Sequence, residues 1–127
     1  MIEALFNQPS YLAAKKTLDA VAVRQEAIAT NIANLETPGY KRIDLAPSFR
    51  TELDRACASG DPQQLAALKP TLAPDPTAQP NGRDGNTVSL ENEMMQLNQN
   101  AMTHTLEAQM LSNLLLRLKM AITGKSS

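Results

Sequence analysis

The sequence contains no tryptophan and only two phenylalanines and two tyrosines. Large aromatic anchors therefore cannot dominate an interior. There is a single cysteine, Cys57, which excludes an internal disulfide and a cysteine-rich metal site. The single histidine, His104, has no second histidine to complete a ligand set or a proton relay. Neither sign of charge is in excess: 12 Lys and Arg against 13 Asp and Glu leave a net charge of -1. Nucleic-acid binding needs a clustered basic face, so that class is set aside. No run of about 18 apolar residues exists, and a membrane-inserted segment is not expected. The opening run Met1 to Phe6 carries Glu3 and lacks a basic lead and a long apolar stretch, so it does not read as a cleavable secretory signal. The chain is expected to stay in the cytoplasm or to leave by a route that needs no such signal. Phosphate loops, zinc-ligand spacings and nucleophile motifs are missing too, so neither an enzyme nor a cofactor is expected.

What is present is helix-forming material. The hydrophobic share is 43%, supplied mostly by Ala, Leu and Met, which favour helices over sheets. A length of 127 residues suits one domain. Composition divides it into residues 1–41, 42–86 and 87–127. In the first part Tyr11, Ala14, Leu18, Val21, Gln25, Ile28, Ile32 and Leu35 are spaced alternately by three and four residues, a coiled-coil seam interrupted only by Gln25. Asn7 or Ser10 can cap this helix, and Pro9 suits its first turn. In the third part Leu90, Met94, Leu97, Ala101, His104, Ala108, Leu111, Leu115, Leu118 and Ile122 repeat the pattern, with only His104 polar. Ser89 is a natural N-cap, Glu91 and Glu93 suit the positive helix end, and Gly124 can close the last turn.

The expected fold is mainly α, with long N- and C-terminal helices pairing as an antiparallel coiled coil. The middle part, with Pro62, Pro70, Pro74, Pro76 and Pro80 followed by Asn81-Gly82 and Asp84-Gly85-Asn86, is expected to be extended and irregular apart from a short helix near residues 63–69. A second apolar set lies off the C-terminal seam: Met95, Met102, Leu106, Met110, Leu114, Leu116 and Met120. These make the helix more apolar than one partner can cover. The chain is expected to complete its fold against neighbouring copies or other subunits.

One segment is more specific than any period: Ala29-Thr30-Asn31-Ile32-Ala33-Asn34-Leu35-Glu36-Thr37-Pro38-Gly39-Tyr40-Lys41. Pro38 presets the first corner of a turn and Gly39 supplies a positive φ at the second, a type II pattern. Thr37, before proline, is pushed out of helical geometry. The helix must therefore stop near Glu36. Asn31 and Asn34 share a face where their amides can bond the bend, and Tyr40 can fold back onto the helix end. Taken alone this is an ordinary helix stop. As a whole, however, the segment closely resembles the N-terminal signature of bacterial flagellar rod and hook axial proteins. The stretch Asp84 to Glu93 resembles the segment that opens their C-terminal helix, and the short length resembles the proximal rod members.

The resemblance implies a non-enzymatic subunit of the proximal rod of the flagellar basal body, a periplasmic drive shaft that transmits torque. It implies export through the flagellar type III channel without a cleavable signal. The implied partners are other copies of itself, other rod proteins, the rod–MS-ring junction protein, the MS ring and, during secretion, the export gate. The assembly interface is then expected on the helix seams: Leu18, Val21, Ile28, Ile32 and Leu35 with Leu90, Met94, Leu97, Leu111, Leu115, Leu118 and Ile122. The family motif residues are Asn31, Asn34, Thr37, Pro38, Gly39 and Tyr40. Phe49 and Leu53 have a spacing that resembles the export-gate recognition element of rod and hook subunits, and a local apolar pair packed on the core fits the same spacing.

Other candidates carry less. His104 at a seam position reads as a packed polar residue that sets register. Cys57 reads as incidental. Glu91 and Glu93 read as dipole partners rather than paired catalytic carboxylates. Lys41, Arg42, Arg50 and Arg55, interspersed with acids, read as a solvated or interfacial surface. Two alternatives stay open: a sibling axial protein, and a coiled-coil adaptor that explains the heptads but not the Thr37–Lys41 turn.

Overall fold

The computed structural model describes residues 8–124. Helix α1, Pro9–Ala33, starts with Pro at its first position, where the missing amide costs nothing. Its N-cap is Gln8, without a side-chain cap bond. Ser10 lies inside the helix, and Asn7 falls outside the described residues. The helix stops at Ala33, and a turn carries the chain to the bend at Thr37. Helix α4, Leu90–Thr123, is the longest element at 34 residues, about 51 Å at ~1.5 Å per residue. Ser89 caps it by accepting from the Asn92 amide, and Gly124 closes it at φ 66°. Both caps stand where the sequence places them.

The two long helices run antiparallel and in contact. Asn31 meets Glu93 near one end, Asn100 meets Val21 midway, and Ala14 faces the Met110 and Leu114 region.

The middle part is more regular than expected as far as Pro74, while residues 75–89 hold no helix or strand. It holds helix α2 (Ser48–Ser59), helix α3 (Pro62–Ala67) and a two-stranded antiparallel sheet of β1 (Ile43–Leu45) and β2 (Leu72–Pro74). The prolines punctuate these elements rather than dissolving them. Pro47 precedes α2 and Pro62 opens α3, capped by the Asp61 carboxylate on the Gln63 amide at 2.9 Å. Pro74 closes a strand of a two-stranded ribbon, where a missing donor is tolerated. Gly60, at φ 67°, ends α2. Phe49, Leu53 and Ala56 share one face of α2 and pack with Leu65 of α3 against Leu12 and Ala20 of α1. Helix α1 is thus covered on two sides, by α4 and by the α2–α3 layer.

Helix α4 is covered far less. Its contact with α1 is not the expected one. Call Met94, Ala101, Ala108, Leu115 and Ile122 the a row, Leu90, Leu97, His104, Leu111 and Leu118 the d row, and Glu93, Asn100, Glu107 and Leu114 the g row. The sequence pattern expects the a and d rows to face α1. The buried positions are instead Glu93 and Asn100 of the g row, with Leu97, Leu111 and Leu118 half-buried beside them. Leu90, Met94, Leu115 and Ile122 are exposed. On α1, Val21 and Ile28 are buried, and Leu18, Ile32 and Leu35 are half-buried. The contact is polar at the two buried positions, whose partners lie on this side of α4: Glu93 pairs with Arg42, and Asn100 donates to the Val21 carbonyl.

Candidate assembly site: a buried clasp and an uncovered helix

Where α1 stops, Thr37–Pro38–Gly39–Tyr40 turns the chain. The Tyr40 amide donates to the Thr37 carbonyl at 3.2 Å, and Gly39 has φ 73°. Pro followed by a positive φ is the expected type II geometry. Nothing stands near the Cβ that Gly39 lacks, so the backbone alone selects glycine.

This turn is stitched to the segment that leads into α4. The Gly39 amide donates to the Asp84 carbonyl at 2.8 Å, and the Thr87 amide donates to the Tyr40 carbonyl at 3.0 Å. The Arg42 amide donates to Thr87 Oγ1 at 2.8 Å, and Lys41 Nζ donates to the Gly85 carbonyl at 3.0 Å. The Asn86 side-chain nitrogen lies 2.9, 3.0 and 2.8 Å from the carbonyl oxygens of Asn34, Leu35 and Thr37. It thereby ties down the turn that follows α1 at three carbonyls. Asn31, fully buried, accepts from the Tyr40 hydroxyl at 3.1 Å and the Ile43 amide at 2.9 Å, and donates to the Ile43 carbonyl at 2.8 Å. Asn34 donates to the Thr30 carbonyl at 2.8 Å and accepts from the Thr37 hydroxyl at 3.1 Å. The two sequence motifs, far apart in the chain, form one clasp.

Arg42 is the hub of that clasp. Its Nε donates to Glu93 Oε1 at 2.7 Å, and its Nη1 donates to Asp75 Oδ2 at 2.6 Å and to Asp44 Oδ2 at 3.0 Å. Arg24 Nε donates to the other oxygen of Asp44 at 3.0 Å, and Arg24 also bonds Gln96 of α4. Arg42 is 8% exposed and Glu93 has no exposure. Burial alone would push the Arg42 guanidinium down; the hydrogen bonds it donates to Glu93, Asp75 and Asp44 reverse this and raise it above its ordinary value. Burial alone would raise the Asp75 carboxyl, but Thr77 and Arg42 outweigh it and hold it low. Burial, then the charge of Glu93, raise the Tyr40 phenol, with Arg42 opposing them. No described side-chain nitrogen or oxygen that is buried lacks a partner. The sequence pattern groups Arg42 with Lys41, Arg50 and Arg55 as a surface. The structure buries Arg42 and leaves the other three exposed. Glu93 likewise is an ion-pair partner in the interior and not only a partner of the helix dipole, while Glu91 is exposed.

Beyond the clasp, α4 shows solvent a row of large apolar side chains. Met102 is 72% exposed, Leu106 60% and Met110 53%. Patches of this kind on a soluble chain mark interaction surfaces. His104 is exposed at a groove it lines with Leu18, Ala22 and Ala101. Phe49 and Leu53 are both buried in the α1–α2–α3 core. Cys57 is an exposed free thiol. Among the described residues no group of three His, Cys, Asp or Glu could hold a metal, and no helix is long and apolar enough to cross a membrane.

Sequence reasoning found the turn motif and missed Asp44, Asp75, Asn86 and Asn100. No local signal marks them, because polar residues seven apart recur on other faces of α4 as well, Asn92 with Gln99 and Glu91 with Asn98.

Comparison with known proteins agrees with the motif reading. The model of the family described as flagella basal body rod protein matches residues 12–41. The flagellar basal body rod protein FlgB of Escherichia coli K12 is 34% identical over 115 residues, covering 77% of this chain and 81% of that protein. FlgB of Borrelia hermsii is 32% identical over 111 residues, covering 73% of this chain and 80% of that protein. FlgB of Yersinia enterocolitica is 28% identical over 104 residues, with 71% and 76% covered.

Proposed function

The chain belongs to the flagellar basal body rod protein family, and from that membership we propose that it is a structural subunit of the proximal rod. Its work is packing rather than chemistry. The observation that carries this reading is the exposed apolar row on α4, on a 34-residue helix with little more than α1 against it. A subunit whose long helix meets a different surface of the next subunit builds an open helical assembly when the rotation between subunits does not close into a ring. Interlocked long helices resist bending and twisting, the property a torque-transmitting shaft needs. The a-row residues Met94, Leu115 and Ile122, together with Leu90, are the part of the expected seam available to such neighbours. The neighbours in this reading are further copies, other rod proteins, the rod–MS-ring junction protein and the MS ring.

The same reading includes export through the flagellar type III channel. Phe49 and Leu53 are buried in the folded chain, so a gate can read that pair only before folding.

The test is Leu106→Asp. Leu106 is 60% exposed, so the change should leave the stability of the free chain within about 0.5 kcal/mol. A strain that relies on this variant should lose swimming while the purified variant keeps its helicity. Normal swimming would overturn the role assigned to this face.

A further inference from the structure

The contact between α1 and α4 is polar where it could have been apolar. The a and d rows form the most regular apolar heptad of α4, yet Glu93 and Asn100 of the g row are its buried residues, while Met94, Ala101, Leu115 and Ile122 of the a row are exposed and Ala108 is half-buried. The difference is a turn of α4 about its own axis of roughly 60°, at ~100° per residue. Two g-row residues, one heptad apart, hold it there. Glu93 is bonded to Arg42 and Asn31, at 2.7 and 3.3 Å. Asn100, 2% exposed, donates to the Val21 carbonyl at 3.0 Å and to Gln25 Oε1 at 3.2 Å. Turning α4 to bury its a row would carry Asn100 away from these acceptors and strand the Glu93 charge.

We propose that Glu93 and Asn100 are a rotational lock. They exclude the register in which α4 buries its own a row against α1, and so keep that row outside the subunit. A polar residue at one position of a helical contact is known to select register at a cost in stability. Here the excluded register is the one the heptad pattern favours. Asn100 is the cleaner handle, because Glu93 also belongs to the clasp. The lock rests on the structure alone; its purpose, keeping a surface for neighbouring subunits, rests on the proposed rod role.

The experiment uses the full chain with Cys57→Ser, and a single reporter cysteine at Ala101→Cys or Met102→Cys. Ala101 is in the a row and exposed; Met102 points away from α1 and serves as control. Maleimide labelling rates are compared with and without Asn100→Leu. The lock requires several-fold slower labelling at position 101, no change at position 102, and helicity retained by circular dichroism. Equal rates at position 101 overturn it. If Asn100→Leu loses its helicity, Asn100→Ala is used with the same criterion, since it removes the bonds without adding bulk. Swimming separates the lock from its purpose. A labelling shift with normal swimming removes the rod-assembly purpose and keeps the lock; lost swimming with no labelling shift removes the lock.

Discussion

Arg42 faces three carboxylates, and this asymmetry sets what each substitution does. Arg42→Met leaves Asp44, Asp75 and the unexposed Glu93 crowded without their shared cation. Breaking a buried pair from one side costs about 3–5 kcal/mol, and that is the loss expected in urea unfolding. Glu93→Gln keeps the shape and leaves Arg42 two other anions, so its cost should be nearer 1–3 kcal/mol, that of weakened buried hydrogen bonds. The reverse order would place the hub elsewhere. Asp75 adds a pH dependence. Its folded carboxyl titrates below its ordinary value of 3.8. Its contribution is therefore complete above that pH and is lost as pH falls through the lower, folded value. Stability measured from pH 5 to pH 2 should show this part of the acid loss in the parent chain and not in Asp75→Asn. The turn at Pro38-Gly39 was legible in the sequence because its cause is local: one residue fixes φ and the next permits a positive one. The Arg42–Glu93 pair was not, because its partners are 51 residues apart and nothing local marks either as buried.

Among the elements, the two long helices follow from their period, α4 also from its caps, and the middle part is where local reading fell short. Proline content suggested irregular chain. Yet the positions of Pro47, Pro62 and Pro74 are ones that helices and strand ends accept. Phe49, Leu53 and Ala56 already carried the i, i+4, i+7 spacing of a helix face. Phe49 is 4% exposed and sits between α1 and α3. Phe49→Ala should cost about 3–5 kcal/mol and chiefly release α2 and α3. Amide exchange should quicken across residues 48–67 while residues 31–42 and 84–93 stay protected by the clasp. That outcome also sharpens the export question. On the proposed export route a less stable fold is easier to hold unfolded for a narrow channel, so destabilisation alone should not lower secretion. If Phe49→Ala lowers it, the side chain itself is being read; unchanged secretion leaves Phe49 a core residue only.

At the scale of the whole molecule, stability is unevenly placed. The clasp, α1 and the α2–α3 layer share the buried residues, and beyond Asn100 no residue of α4 is fully buried. Helical hydrogen bonds on a face with few tertiary contacts open at low cost, and helix propensity alone holds a segment of this length only marginally in water. The free chain should therefore show two classes of amide. Those of residues 20–33 and 86–100 should exchange slowly, through near-global unfolding. Those of residues 102–123 should exchange faster by orders of magnitude, through local fraying. Mixing with the rod subunits proposed as its neighbours should bring the second class toward the first, because burying the Met102–Leu106–Met110 face removes the cheap opening. The comparison between the two classes is internal to one sample, so protein concentration and pH cancel. If residues 102–123 are already as protected as α1 in the monomer, α4 draws its stability from within the chain, and its apolar row is not a surface waiting for a neighbour.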